Sequence, residues 1–155
     1  MSLKKIIGAS LILFMVSCQE TGLYEKVVFM PEQVWAYKNK PSFSFEITDT
    51  SSSYQLYFLL RHADAYEYKN LWVNISSQLP GDSAFKDQQF EIPLATAKRW
   101  LGSGMDDIYD HRVLLYKDPV RFLRPGKYTV IFRQDMRVDP LNHIFNVGIR
   151  LEKVK

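Results

Sequence analysis

The sequence predicts an all-β protein: a β-sandwich, jelly-roll or Ig-like, of about eight strands. Three observations carry this. Beyond residue 23, apolar residues recur mostly at every second position, as in strands with one buried face. The segments are short and separated by turn-forming residues. No long stretch follows helical spacing, and short strands with such turns favour a sandwich or barrel.

The elements follow in order. Residues 26–30 form a weak first strand. Phe43, Phe45 and Ile47 alternate with Ser44 and Glu46. The acid and serines of 49–53 make a turn. Tyr54, Leu56, Phe58 and Leu60 then share a face, as do Leu71, Val73 and Ile75. Pro80, Gly81 and Asp82 turn the chain towards Phe90 and Ile92. Ala95, Ala97, Lys98 and Arg99 allow a turn or two of helix in 94–101, with Gly102 as its stop. Residues 113–116 are a weak strand. Pro125, Gly126 and Lys127 open the strand of Tyr128, Val130 and Phe132, and Tyr128 stands where a tyrosine corner would. Phe145, Val147, Ile149 and Leu151 complete the set. Segments 62–69 and 102–112 are read as loops, where binding residues concentrate on a rigid scaffold.

The first residues follow a different logic. Lys4 and Lys5 precede an uncharged, mostly apolar run over 6–16. That run suits a signal-peptide core and falls short of the roughly 20 residues that span a bilayer. An ordinary signal peptidase needs small side chains one and three residues before its cut, and a cut after Ser17 would place Met15 at the third. Met15-Val16-Ser17-Cys18 instead resembles a lipobox, with Met and Val replacing the commoner Leu and Ala or Ser. Cys18 is the only cysteine, so it has no intrachain disulfide to form. The chain therefore divides into a cleaved lipoprotein signal peptide (1–17), a lipidated tether (18–23) and a sandwich domain (24–155). Lipid on Cys18 makes the membrane the first expected partner, because two or more acyl chains anchor stably where one does not.

Composition excludes several function classes. Without Lys4 and Lys5 the formal charge falls from +3 to +1, and no basic cluster points to nucleic acid. A body free of cysteine has no thiolate chemistry. No cofactor motif is present.

Asp106, Asp107, Asp110 and His111 form the densest group of potential ligands. In a helix, Asp107 and His111 would share a face. However, the spacing fits no calcium loop and one His makes no zinc site, so no metal is expected. Turn capping by the acids, with ion pairs to Arg99 or Arg112, accounts for the group. His62 with Asp64 has the make-up of a base and its orienter, but no nucleophile elbow accompanies it, and Ser103 lacks that frame. A hydrolase using paired carboxylates is a third-ranked reading. Trp35, Tyr37, Tyr66, Tyr68, Trp72 and Trp100 fill a core or form a glycan-binding platform. Trp72 lies opposite the Leu71, Val73 and Ile75 face, so it is either presented or buried by a second layer. Asp82-Ser83-Ala84 resembles a short bacterial O-glycosylation motif with Ser83 as acceptor, a weak signal because three residues match by chance. Asn74-Ile75-Ser76 has the N-glycan form but lies in a strand of a protein with bacterial features.

Several stretches resemble the GldH gliding-motility lipoproteins of Bacteroidota. They are Trp35-Ala36-Tyr37; Lys40-Pro41-Ser42-Phe43 running into Glu46-Ile47-Thr48-Asp49-Thr50; Leu60-Arg61-His62-Ala63-Asp64-Ala65-Tyr66; Trp100-Leu101-Gly102-Ser103-Gly104-Met105-Asp106-Asp107-Ile108; and Gln134-Asp135-Met136-Arg137 through Asn146-Val147-Gly148-Ile149-Arg150. They cover most of the mature chain in order. The resemblance implies a non-enzymatic part of the outer-membrane gliding and type IX secretion machinery, partnered by other gliding or secretion lipoproteins or envelope proteins. It transfers one functional position, Cys18, and no catalytic residue. Surface export in the phylum often uses acids just after the cysteine. Only Glu20 follows closely here, which favours the periplasmic face. The expected contact residues are His62, Asp64, Tyr66, Met105, Asp106, Asp107, Asp110 and His111.

Overall fold

Period-two patterning becomes strand wherever one side can be buried. The computed structural model describes residues 22–154, so the signal segment and Cys18 lie outside the described residues. The strands are β1 (Gly22–Phe29), β2 (Val34–Trp35), β3 (Ser42–Ile47), β4 (Tyr54–Ala63), β5 (Asn70–Gln78) and β6 (Lys86–Pro93). They continue with β7 (Ser103–Met105), β8 (Ile108–Leu114), β9 (Gly126–Gln134), β10 (Leu141–Asn142) and β11 (Ile144–Lys153). Gly22 and Leu23, assigned from the sequence to the tether, already belong to β1. The strands expected from the pattern are present, except that the one expected at 113–116 is only the end of β8, which stops at Leu114; β2, β7 and β10 are too short to show a period.

Two antiparallel sheets pack face to face. One has five strands in the order β1-β11-β4-β8-β7, the other four in the order β3-β9-β5-β6, and β10 pairs with β2 separately. The inner faces bury Phe58, Leu60, Val147 and Ile149 from the first sheet and Phe43, Val73, Ile75 and Phe132 from the second. Phe132 packs on Phe43 at 4.9 Å within its sheet and on Phe58 at 5.2 Å across the sandwich. Such tilted aromatic contacts add specific geometry to the burial that stabilises the core. Tyr128 Oη donates to the carbonyl of Arg124 at 2.9 Å, the tyrosine-corner bond. The turn at 49–53 carries the chain from one sheet to the other, and the Asp49 carboxylate gathers it by accepting the backbone N–H groups of Ser51 and Ser52.

Two expectations change. Residues 94–101 form no helix. Thr96 Oγ1 accepts the N–H groups of Lys98 and Arg99, a local bond that competes with helical hydrogen bonding. Leu101 then closes the turn by donating to the Leu94 carbonyl. Residues 102–112 are also no loop: β7 and β8 make a hairpin whose two-residue turn is Asp106-Asp107, so a helical pairing of Asp107 with His111 does not arise.

The register fixes two ends. Gly22 lies beside Glu152, which lies beside Gln55. At the other end Phe29 pairs with Asn146, Asn146 with Arg61, Arg61 with Asp110 and Asp110 with Ser103. Seven strand steps at about 3.3 Å separate Gly22 from Phe29, or roughly 23 Å. Among the described residues, no helix is long and apolar enough to cross a membrane.

Candidate functional site

The two segments singled out in the sequence converge at the end remote from Gly22. Strand β8 runs beside β4 with His111 opposite Leu60 and Tyr109 opposite His62. Alternation turns Tyr109, His111 and Val113 inward and Asp110, Arg112 and Leu114 outward. His62 and His111 are consequently buried core residues, not loop contacts; the structure corrects their expected exposure.

Their rings define the centre. His62 Nδ1 lies 2.7 Å from the Ala63 carbonyl, which only accepts, so this nitrogen carries a proton. His62 Nε2 lies 2.9 Å from His111 Nε2. With both rings neutral, His111 Nε2–H donates and His62 Nε2 accepts. Burial holds both imidazoles below their ordinary pKa, and the neighbouring His62 ring also helps push His111 down to about 4. The pair is therefore neutral at physiological pH.

Aromatic rings enclose it. Trp100 meets His62 edge-on at 4.4 Å, and Tyr66 and Tyr109 lie at 5.3 and 5.8 Å. Trp100 Nε1–H donates to Asp64 Oδ1 at 2.6 Å, and the Asp64 N–H donates to the Asp107 carbonyl at 2.7 Å. Asp64 thus ties the loop after β4 to both Trp100 and the hairpin turn. Burial raises the Tyr66 phenol above its ordinary pKa, and its hydroxyl donates to the Asn70 carbonyl.

The Gly-Ser-Gly stretch makes this packing possible. A Cβ on Gly102 would lie 2.5 Å from the Asp110 carbonyl and 2.9 Å from the His111 ring. One on Gly104 would lie 2.6 Å from the Tyr109 ring. The motif reads as a seat for His111 and Tyr109, with no catalytic serine frame. Sequence reasoning passed over Tyr109; treating 108–114 as a strand would have placed it beside His111.

The remaining expected residues separate into groups. Met105, Asp106 and Asp107 project at the hairpin tip, with Met105 78% exposed. Asp110 faces outward and pairs with Arg61 through two bonds of 2.7 and 2.8 Å, in place of Arg99 or Arg112. Arg112 bonds Glu152, which also takes Arg150, itself paired with Glu25. These ladders border a depression of about 540 Å³ on the outer face, with the exposed Phe29 and Leu101 on its walls. Ser83 is exposed beyond β5, in the turn near Gly126 at the Gly22 end of the sandwich. Among the described residues, no group of three or more His, Cys, Asp or Glu is placed to hold a metal ion.

Comparison with known proteins adds a lineage to this geometry. The model of a family described as GldH lipoprotein matches residues 22–151. The chain is similar to the gliding motility lipoprotein GldH homolog of Christiangramia forsetii, at 28% identity over 88% of this chain and 87% of that one. It is similar to the gliding motility lipoprotein GldH of Flavobacterium johnsoniae, at 28% identity over 94% and 92%. Among solved structures, a carbohydrate-binding module specific for non-crystalline cellulose is similar at a TM-score of 0.43 and 13% identity, covering 84% of this chain and 72% of that one.

Proposed function

The chain belongs to the GldH lipoprotein family, and we propose from that membership that it is a lipid-anchored, non-enzymatic binding component of the gliding-motility and type IX secretion machinery at the outer membrane. Lipid on Cys18 holds it, the body faces the periplasm, and the hairpin tip meets other lipoproteins or envelope proteins of the apparatus. Confining both partners to one membrane raises their effective concentration, so a modest contact suffices.

The observation that supports this reading is the separation of the two ends. Gly22, four residues beyond Cys18, opens β1 at one end of the five-stranded sheet. The exposed Met105, Asp106 and Asp107 stand at the other. An anchored body of this shape directs its hairpin away from the lipid. The tip sets an exposed methionine, a residue type enriched at protein contacts, beside acids suited to a polar rim, above an aromatic base.

Cross-linking and pull-down from membranes tests the proposal. An Asp106→Lys/Asp107→Lys variant should stay folded and membrane-bound while losing a cross-linked envelope partner that the native chain retains. Unchanged partner recovery and unchanged gliding would reject the hairpin as the contact. Protease shaving of intact cells tests the periplasmic face, where the body should resist digestion until the outer membrane is opened.

A further inference from the structure

Trp72 occupies a wet position that the contacts described above leave unexplained. It lies on the outer face of the four-stranded sheet, since Leu71, Val73 and Ile75 fill the core from the same strand. The residue is partly exposed, and among the described residues it stacks on no other aromatic ring. The surrounding outer face is polar. β5 contributes Asn70, Asn74 and Ser76 beside it, and β6 contributes Asp87, Gln89 and Glu91.

Register places hydrogen-bonding groups on both sides of this indole. Glu91 pairs with Trp72 from β6. On the β9 side the chain just beyond the strand stays close, because the Asp135 N–H donates to the Trp72 carbonyl at 2.7 Å. Asn70 Nδ2 donates to Glu91 at 2.7 Å, and Gln89 Nε2 donates to Asp135 at 2.5 Å. Each amide is thereby held in a fixed orientation by a carboxylate. Its carbonyl oxygen takes no hydrogen bond among the described residues. Trp72, Asn70, Gln89 and Asp135, with Tyr68 and Met136, line a groove of about 510 Å³, a size found in small-molecule sites.

We propose that this groove binds an oligosaccharide, a function separate from the hairpin contact. A sugar ring has an apolar C–H face and a rim of hydroxyls. The Trp72 indole supplies a flat surface for the face, and the oriented amides and carboxylates supply partners for the rim. Other occupants fit less well. An apolar peptide or lipid surface would have to desolvate the Asp135 carboxylate and the two amides. A polyanion would find one cation in the lining, Arg137, set against the Asp135 carboxylate, with Glu91 just outside.

The test uses the full-length lipoprotein in detergent micelles, titrated with chitohexaose and cellohexaose while tryptophan fluorescence is followed. One of the two should produce a saturable change. Trp72→Ala should abolish it, and Gln89→Ala, on an exposed edge-strand position, should weaken binding roughly tenfold. Trp100→Phe should leave it intact. No saturable change with either sugar would overturn the proposal, as would a change that survives Gln89→Ala and Trp72→Ala.

Discussion

His62 and His111 face each other Nε2 to Nε2 at 2.9 Å, with the other nitrogen of His62 committed to the Ala63 carbonyl. The arrangement holds one proton between the facing atoms. Charging His62 would set two N–H groups head to head unless His111 changed tautomer, whereas charging His111 would place its second proton on Nδ1. Either change would bury a cation.

The pair accordingly makes stability depend on pH. Both folded pKa values lie below the unfolded imidazole value, so the unfolded chain binds protons first as pH falls. The contribution is complete above about pH 6.5 and is lost as pH falls towards about 4, by on the order of 2–3 kcal/mol. Urea midpoints across that window should fall with pH. Ring proton resonances of His111 should keep their neutral positions well below pH 6, and those of His62 should titrate below the ordinary imidazole value. A ring of the pair titrating at its ordinary value would contradict the assignment.

Gly102→Ala should destabilise the protein by about 1–3 kcal/mol, because the added methyl meets a backbone carbonyl that cannot swing aside. Gly104→Ala should cost less, since its first obstacle is the edge of the Tyr109 ring. Ser103→Ala, exposed between them, should stay near neutral. Equal urea midpoints for Gly102→Ala and Ser103→Ala would remove the packing explanation of the motif.

Tyr128→Phe deletes one hydrogen bond and leaves the buried ring in place. A loss of about 1 kcal/mol is expected by urea denaturation. A change within error would mean that the corner bond is formed equally well with water in the unfolded chain.

Cys18→Ala should move the protein from the membrane fraction to the soluble fraction without shifting its urea midpoint, because the described sandwich is built from Gly22 onward. Retention in the membrane would overturn lipid anchoring at this residue.

Much of the sandwich was legible in the sequence because its core strands alternate cleanly: Tyr54, Leu56, Phe58 and Leu60 point one way and their neighbours the other. Strand β8 was not, for a local reason. Its inward residues are Tyr109, His111 and Val113, so a histidine stands where an aliphatic side chain would mark the period. Gly102 and Gly104 add a loop-like flavour to a hairpin that needs them for close approach. The site was legible in its parts and hidden in its assembly. His62, Asp64, Tyr66 and His111 were singled out, but their meeting depends on the β4–β8 register, a pairing of residues 49 apart for which local composition gives no sign. Trp72 shows a similar limit: alternation puts it opposite the core face, and only the packing of the sheets reveals that its side is wet.

The placement of β1 has a mechanical consequence. It is an edge strand, joined to the body through seven paired positions with β11. Its free end at Gly22 points along its own axis, and the hairpin tip lies at the opposite pole. A load applied between the Cys18 lipid and a partner on that tip would run parallel to β1. Hydrogen bonds between antiparallel strands lie perpendicular to the strands, so this pull shears them together instead of peeling them one by one. Under tension along this line the seven paired positions of β1 would resist as one unit.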